Sequence, residues 1–203
     1  MSDLHKALAD ISNIRQHLAA GTMFRGFGPS VIAITGFLAV GAAAAQSLIY
    51  PALNAVMYVA VWTTVAVVSA ALIGAEMIAR SRRHHGGLAD AMLLHVVEHF
   101  VPVGAAGAVL CAILLKFAPD QAWLLPGLWQ MLLGVGLFVT MRFLPRSIAL
   151  AAAWYFLAGA TVLILASQSR TLTPWMMGIP FGVGQLMMAA LLHVAMGGDD
   201  EQN

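Results

Sequence analysis

Charge is what this sequence has least of. Only 9% of its 203 residues are Asp, Glu, Lys or Arg, where a soluble domain carries about 25%. With 61% hydrophobic residues and a mean hydropathy of +0.85, too little polar surface remains to coat a globule in water. Cysteine is nearly absent as well. Cys111 stands alone within an apolar run, which excludes an internal disulfide and any CxxC metal or redox pair. The N-terminus, MSDLHKALAD, has Asp3 and Asp10 and no apolar region after a basic start, so a cleavable secretory signal is not expected. A phosphate loop, a dinucleotide fingerprint, a nucleophile elbow and a basic nucleic-acid-binding helix are all missing, and the connecting segments are too short to hold one. No nucleic-acid partner is expected.

What the chain does have is six apolar runs. Crossing a hydrocarbon core takes about 20 apolar residues in a helix, and the runs at 30–48, 53–79, 88–115, 123–141, 147–166 and 175–196 meet that need. The expected fold is therefore all-α: a polytopic membrane protein with a six-helix transmembrane bundle over 29–197, set in a lipid bilayer. Six such spans leave no room for a separate soluble domain. The third run is longer than a bilayer requires, about 40 Å at 1.5 Å per residue, so its first two turns are expected to protrude. Residues 1–28 are too polar to span. Leu4, Leu8, Ile11, Ile14 and Leu18 recur there at helical spacing, which predicts an amphipathic helix lying on the membrane surface or docked on the bundle's own loops. An acidic tail, 198–203, ends the chain.

The few basic residues are distributed unevenly. Eight of the ten fall in alternate segments: Lys6, Arg15 and Arg25 before the first run, Arg80, Arg82 and Arg83 between the second and third, Arg142 and Arg146 between the fourth and fifth. Only Lys116 and Arg170 lie in the opposite loops. The positive-inside rule then places both termini in the cytoplasm.

Small residues recur inside the runs, among them Gly36, Gly41, Gly134, Gly136, Gly178, Gly182 and Gly184. In lipid little hydrophobic force draws helices together, so side chains that let backbones approach are the common packing device. Pro126 and Pro180 lie within or near the starts of the fourth and sixth runs, where each is expected to bend its helix. Trp123, Trp129 and Trp175 fall near the outer ends of those two runs and read as an interfacial aromatic belt.

Polar groups at membrane depth are costly, so chemistry is sought among them. His95, Glu98 and His99 match the pattern H-x-x-E-H and fall within about a 100° arc of a helix. Two histidines four apart can chelate a divalent metal such as zinc, with the glutamate as general base. The third ligand would have to come from His193 or Glu76 on other spans. Haem held between His95 or His99 and His193 is a second reading. The plain reading is a hydrated cluster near a helix end, paired with Arg80, Arg82 or Arg83. Glu76 lies four residues before Arg80, a spacing that predicts an ion pair at the membrane surface. Gln46, Asn54, Gln130 and Gln185 are uncharged, and interhelical hydrogen bonding is their expected role. Gln130 and Gln185 are also candidates to line a cavity.

Certain stretches carry a resemblance: Leu125-Pro126-Gly127-Leu128-Trp129-Gln130, Phe143-Leu144-Pro145-Arg146, the start Ile11-Ser12-Asn13-Ile14-Arg15, and Trp175-Met176-Met177-Gly178 through Leu192-His193. Over most of its length the chain resembles a group of uncharacterised small bacterial inner-membrane proteins of similar size. That resemblance implies a six-span bundle, with no activity, ligand or functional residue to carry over. It also implies a place beside small winged-helix regulators and a role in stress or envelope response.

The reading that follows is a non-enzymatic integral inner-membrane protein, an accessory or regulatory subunit with a membrane-protein partner or a second copy. The acidic residues lie near the ends of the spans, whereas a transporter normally carries ionisable groups at mid-depth. The alternative is a small transporter or ligand-binding sensor with a site between spans 1, 4 and 6, enclosing a cavity that touches Gln130 and Gln185.

Overall fold

The computed structural model describes residues 28–49, 54–84, 89–141 and 147–200, without the side chains of 80–84, 89–97, 99 and 196–200. The amphipathic segment expected over residues 1–27 lies outside the described residues, as do Arg142, Arg146 and the last three residues of the tail.

Six α-helices follow one another: α1 (Pro29–Ile49), α2 (Ala55–His84), α3 (Ala89–Phe117), α4 (Leu125–Thr140), α5 (Ile148–Ser169) and α6 (Trp175–Asp200). Each contains a stretch long and apolar enough to cross a membrane. The chain is an all-α polytopic membrane protein, as its composition requires. Backbone polar groups have no water to bond in hydrocarbon, so a spanning segment satisfies them internally as a helix.

Helix ends differ from the expected bounds where polarity and helix propensity diverge. The helix α2 continues past residue 79 through Arg80, Arg82 and Arg83 to His84, and α6 runs on to Asp200. Arginine is a good helix former, so the helix outlasts the apolar stretch, which itself runs Ala55–Ala79. In α3 the apolar stretch is Phe100–Phe117, which leaves the turns carrying His95, Glu98 and His99 ahead of it. Pro119–Leu124 forms a 3-10 turn that leads directly into α4. Pro126 lies in the first turn of α4, where its missing N–H would have no partner in any case. It starts the helix and does not bend it. Asn54 accepts a hydrogen bond from Met57 N at 2.7 Å and so caps α2. Arg170 ends α5 in the left-handed region (φ 51°), its N–H donating to Ala166 O.

Neighbours in sequence are neighbours in space, and α6 returns to α1, so the helices close a ring. Contact is most extensive between α4 and α5 and between α1 and α6. Glycine is the reason. A Cβ added to Gly159 would sit 2.6 Å from Gly127 O, and one added to Gly127 would sit 2.7 Å from Gly159 O. These two backbones touch without an intervening side chain. Gly182 and Gly178 admit Val40 and Ala43 of α1 in the same way. The packing role expected of small residues holds at these positions.

Two buried clusters fill the interior. One joins Ile32, Leu137, Ile148, Tyr155, Met188 and Leu192 toward the end where α1 begins. The other joins Ala43, Tyr58, Trp62, Ala122, Leu125 and Met177 toward the end where α6 begins.

Candidate functional site

Among the described residues the buried polar side chains are few. Thr35, Gln46, Gln130, Thr140 and Gln185 are the buried polar or charged residues among those described, and they come from α1, α4 and α6. None is charged. Thr35 and Thr140 satisfy their hydroxyls within their own helices, on Ile32 O and Leu137 O. Gln46 and Gln130 reach other helices.

Gln130 lies fully buried on α4, and its Nε2 donates to Met176 O of α6 at 2.7 Å. The geometry follows from Pro180, four residues on, which lies inside α6 and has no N–H to offer that carbonyl. A side chain from α4 supplies the donor that the helix lacks. In the next turn, Trp154 Nε1 of α5 donates to Pro180 O at 2.9 Å, so two neighbouring helices hold α6 around its proline.

Gln46 sits near the end of α1, and its Oε1 accepts from Trp62 Nε1 of α2 at 3.0 Å. Tyr58, one turn before Trp62 with ring centroids 6.3 Å apart, donates from its hydroxyl to Thr173 O at 3.3 Å. Trp129 Nε1 of α4 donates to Gly107 O of α3 at 3.1 Å. Trp129 therefore ties two helices together. Trp175 is 41% exposed.

Among the described residues, four buried polar atoms have no hydrogen-bond partner: Gln46 Nε2, Gln130 Oε1, Gln185 Oε1 and Tyr155 Oη. Leaving such a group unmade in the interior costs about 1–3 kcal/mol. Tyr155 of α5 is completely buried, its ring 5.3 Å from that of Phe181 of α6 and against Gly184, where an added Cβ would come 2.6 Å from the hydroxyl oxygen. Gln185, the next residue, has its Cβ against Gly36 of α1, 3.1 Å from the position a Cβ there would take. Gln130 and Gln185 are not side by side. Gln130 meets α6 at Met176, nine residues before Gln185, a rise of about 13 Å at 1.5 Å per residue.

The other candidates lie away from this interior. Glu98 and His193 are exposed, and Glu76 is half-buried. The side chains of His95, His99, Arg80, Arg82 and Arg83 are outside the described residues, and with them the metal and haem readings and the Glu76–Arg80 pair. Among the described residues no three His, Cys, Asp or Glu side chains gather.

Comparison of the chain with family models, with curated proteins and with solved structures gives no match. Its functional reading rests on its own geometry.

The bonding roles of Tyr58, Trp62 and Trp154 are not among the expectations drawn from the residues alone. The signal was available. Indole and phenol groups well inside an apolar run are too far from water to be solvated, so each needs a partner in the protein.

Proposed function

We propose that the chain is a non-enzymatic accessory or regulatory subunit of a bacterial inner-membrane assembly, with both termini in the cytoplasm. It would seat laterally against partner helices through α2 and α3. The observation that carries this reading is the contrast between the two parts of the ring. In α6, half of the apolar stretch is buried, whereas in α3 only 6% is, and in α2 17%. One stripe of the outward face of α3, beside the exposed Val101, Val109 and Ile113, is nonetheless built from small residues. Gly104, Ala108 and Ala112 follow one another at four-residue spacing, and all three are exposed.

Lipid contact alone does not call for glycine, which weakens a helix relative to alanine by about 1 kcal/mol. In α4, α5 and α6 every glycine whose surroundings are described lies against another helix. Gly41, Gly74 and Gly104, on α1, α2 and α3, have nothing within 4 Å of an added Cβ. Surfaces of this composition are the ones membrane helices use to meet one another. The distribution of the arginines supports the orientation.

The test is purification in a mild detergent, for the parent protein and for Gly104→Leu and Gly74→Leu. A membrane polypeptide, whether another protein or a second copy, is expected at stoichiometric level with the parent. It should be lost from the variants while their melting temperature is unchanged. Repeated isolation of the parent as a lone protein would overturn the reading.

A further inference from the structure

We propose that the bundle is built as two halves, α1–α2–α6 and α3–α4–α5, and that the seam where α6 meets α4 and α5 opens to water in a minor state of the protein. The side chains of Gln130 and Trp154 are the latches that keep it closed. This motion belongs to the single chain and does not rest on lateral assembly through α2 and α3.

Within each half, backbone meets backbone. A Cβ added to Gly36 of α1 would sit 3.2 Å from Gly182 O of α6, and one added to Gly134 of α4 would sit 2.9 Å from Ala152 O of α5. Gly127 and Gly159 meet in the same way. Side chains then add a third helix to each half. Trp62 bonds α2 to Gln46 of α1, and Tyr58 bonds it to Thr173 just before α6. Trp129 bonds α4 to Gly107 of α3. Backbone in contact has no rotamer to change, so each half moves as a unit.

Across the seam the contacts are of another kind. Gln130 of α4 reaches Met176 O, and Trp154 of α5 reaches Pro180 O. At Gly184 the atoms nearest to an added Cβ belong to the Tyr155 ring. These are side-chain contacts, which turn aside through a rotamer change. The Trp154 bond is also one that α6 does not need, since helical geometry gives the carbonyl of residue 180 the N–H of Gly184. It ties one half to the other.

The closed seam carries a cost that opening removes. The Gln130 amide and the Tyr155 hydroxyl both face α6, and Gln130 Oε1 and Tyr155 Oη are buried without a partner. Each such atom disfavours the closed state by about fivefold or more. Water in the seam satisfies both, so the open state competes with the closed one. Gln130 meets the second residue of α6, and water reaches it from the end of the bundle where α6 begins.

The test is the reactivity of a thiol on the seam. Met177 is buried, with its Sδ 3.9 Å from Gln130 Nε2, and Cys111 is the single native cysteine. In a Cys111→Ser chain purified in detergent, Met177→Cys is expected to react with a water-soluble maleimide while the protein stays folded. Phe181→Cys, whose ring lies beside that of Tyr155, is the second probe should the first not fold. Adding Trp154→Phe should speed the reaction by about two- to tenfold, because the closed state loses one bond. Adding Tyr155→Phe should slow it by about fivefold or more, because that hydroxyl gains a partner only when the seam is open. Small additions of denaturant should hardly change the rate, since the opening exposes little surface. Thiols that react only after complete unfolding, or with its denaturant slope, overturn the proposal. So does failure of either added substitution to move the rate in its stated direction.

Discussion

The amide of Gln130 on α4 donates at 2.7 Å to the carbonyl of Met176 on α6, the acceptor that Pro180 leaves without its helical donor. A proline within a spanning helix exposes a backbone oxygen to an environment without water, and a neighbouring helix repairs the loss. Replacing Gln130 by Leu removes that repair. The expected cost is about 1–3 kcal/mol, measured by reversible unfolding in mixed detergent micelles. In a Pro180→Ala background the helix regains its own N–H, so the same substitution should cost clearly less. Equal costs in both backgrounds would show that the two residues are not linked in this way.

Gly127 and Gly159 form the closest backbone approach between α4 and α5. Gly159→Ala places a methyl group 2.6 Å from Gly127 O and 2.8 Å from Met131 Cγ. One of these contacts involves backbone, which cannot rotate aside, so the helices must separate. A loss of about 1–3 kcal/mol is expected, as for other overpacked cores. Gly104→Ala, with open space around it, is expected to leave the stability of the isolated chain unchanged or slightly raised. A thermal melt of the two variants side by side checks the contrast.

Trp62 and Gln46 join α2 to α1 through one buried bond of 3.0 Å. In bilayer proteins such bonds contribute about 0.6 kcal/mol on average and up to about 1.7. A double-mutant cycle with Trp62→Phe and Gln46→Leu should return a coupling of that size. Zero coupling would mean that packing alone positions α2.

Asn54 caps α2, its side chain accepting from Met57 N. Asn54→Ala is expected to cost about 1 kcal/mol and to speed hydrogen exchange in the first turn of α2 only. Exchange that rises throughout α2 would indicate instead that the cap is needed for the helix as a whole.

The orientation is tested by reporter fusions. Alkaline phosphatase fused after Asn203 should be inactive, and the same enzyme inserted near Asp120 should be active, since only an exported phosphatase folds. The reverse pattern would invert the topology drawn from the arginines.

Six spans were legible in the sequence because hydrophobicity accumulates over 20 or so residues, and no single position has to be read correctly. Exact ends were less legible. The helix α2 carries on through Arg80 to His84 because helical hydrogen bonding continues after apolarity has ended. The roles of single polar residues were legible only in kind. Gln46 and Gln130 bond between helices as expected, and Asn54 caps its own helix.

The amino-acid sequence by itself determined that this chain is a helical bundle in a membrane, since apolar length is a local property summed along the chain. It also determined which backbones could come close, by placing glycine at Gly127, Gly159, Gly178 and Gly182. Only the tertiary structure decided that Gln130 serves the carbonyl freed by Pro180, fifty residues away in the chain. It also left Gly74 of α2 and Gly104 of α3 in open space, while Gly107 of α3 packs on Trp129. A hydrogen bond depends on a few ångströms and a direction between helices. Those are set by how all six pack together, and no segment carries that information alone.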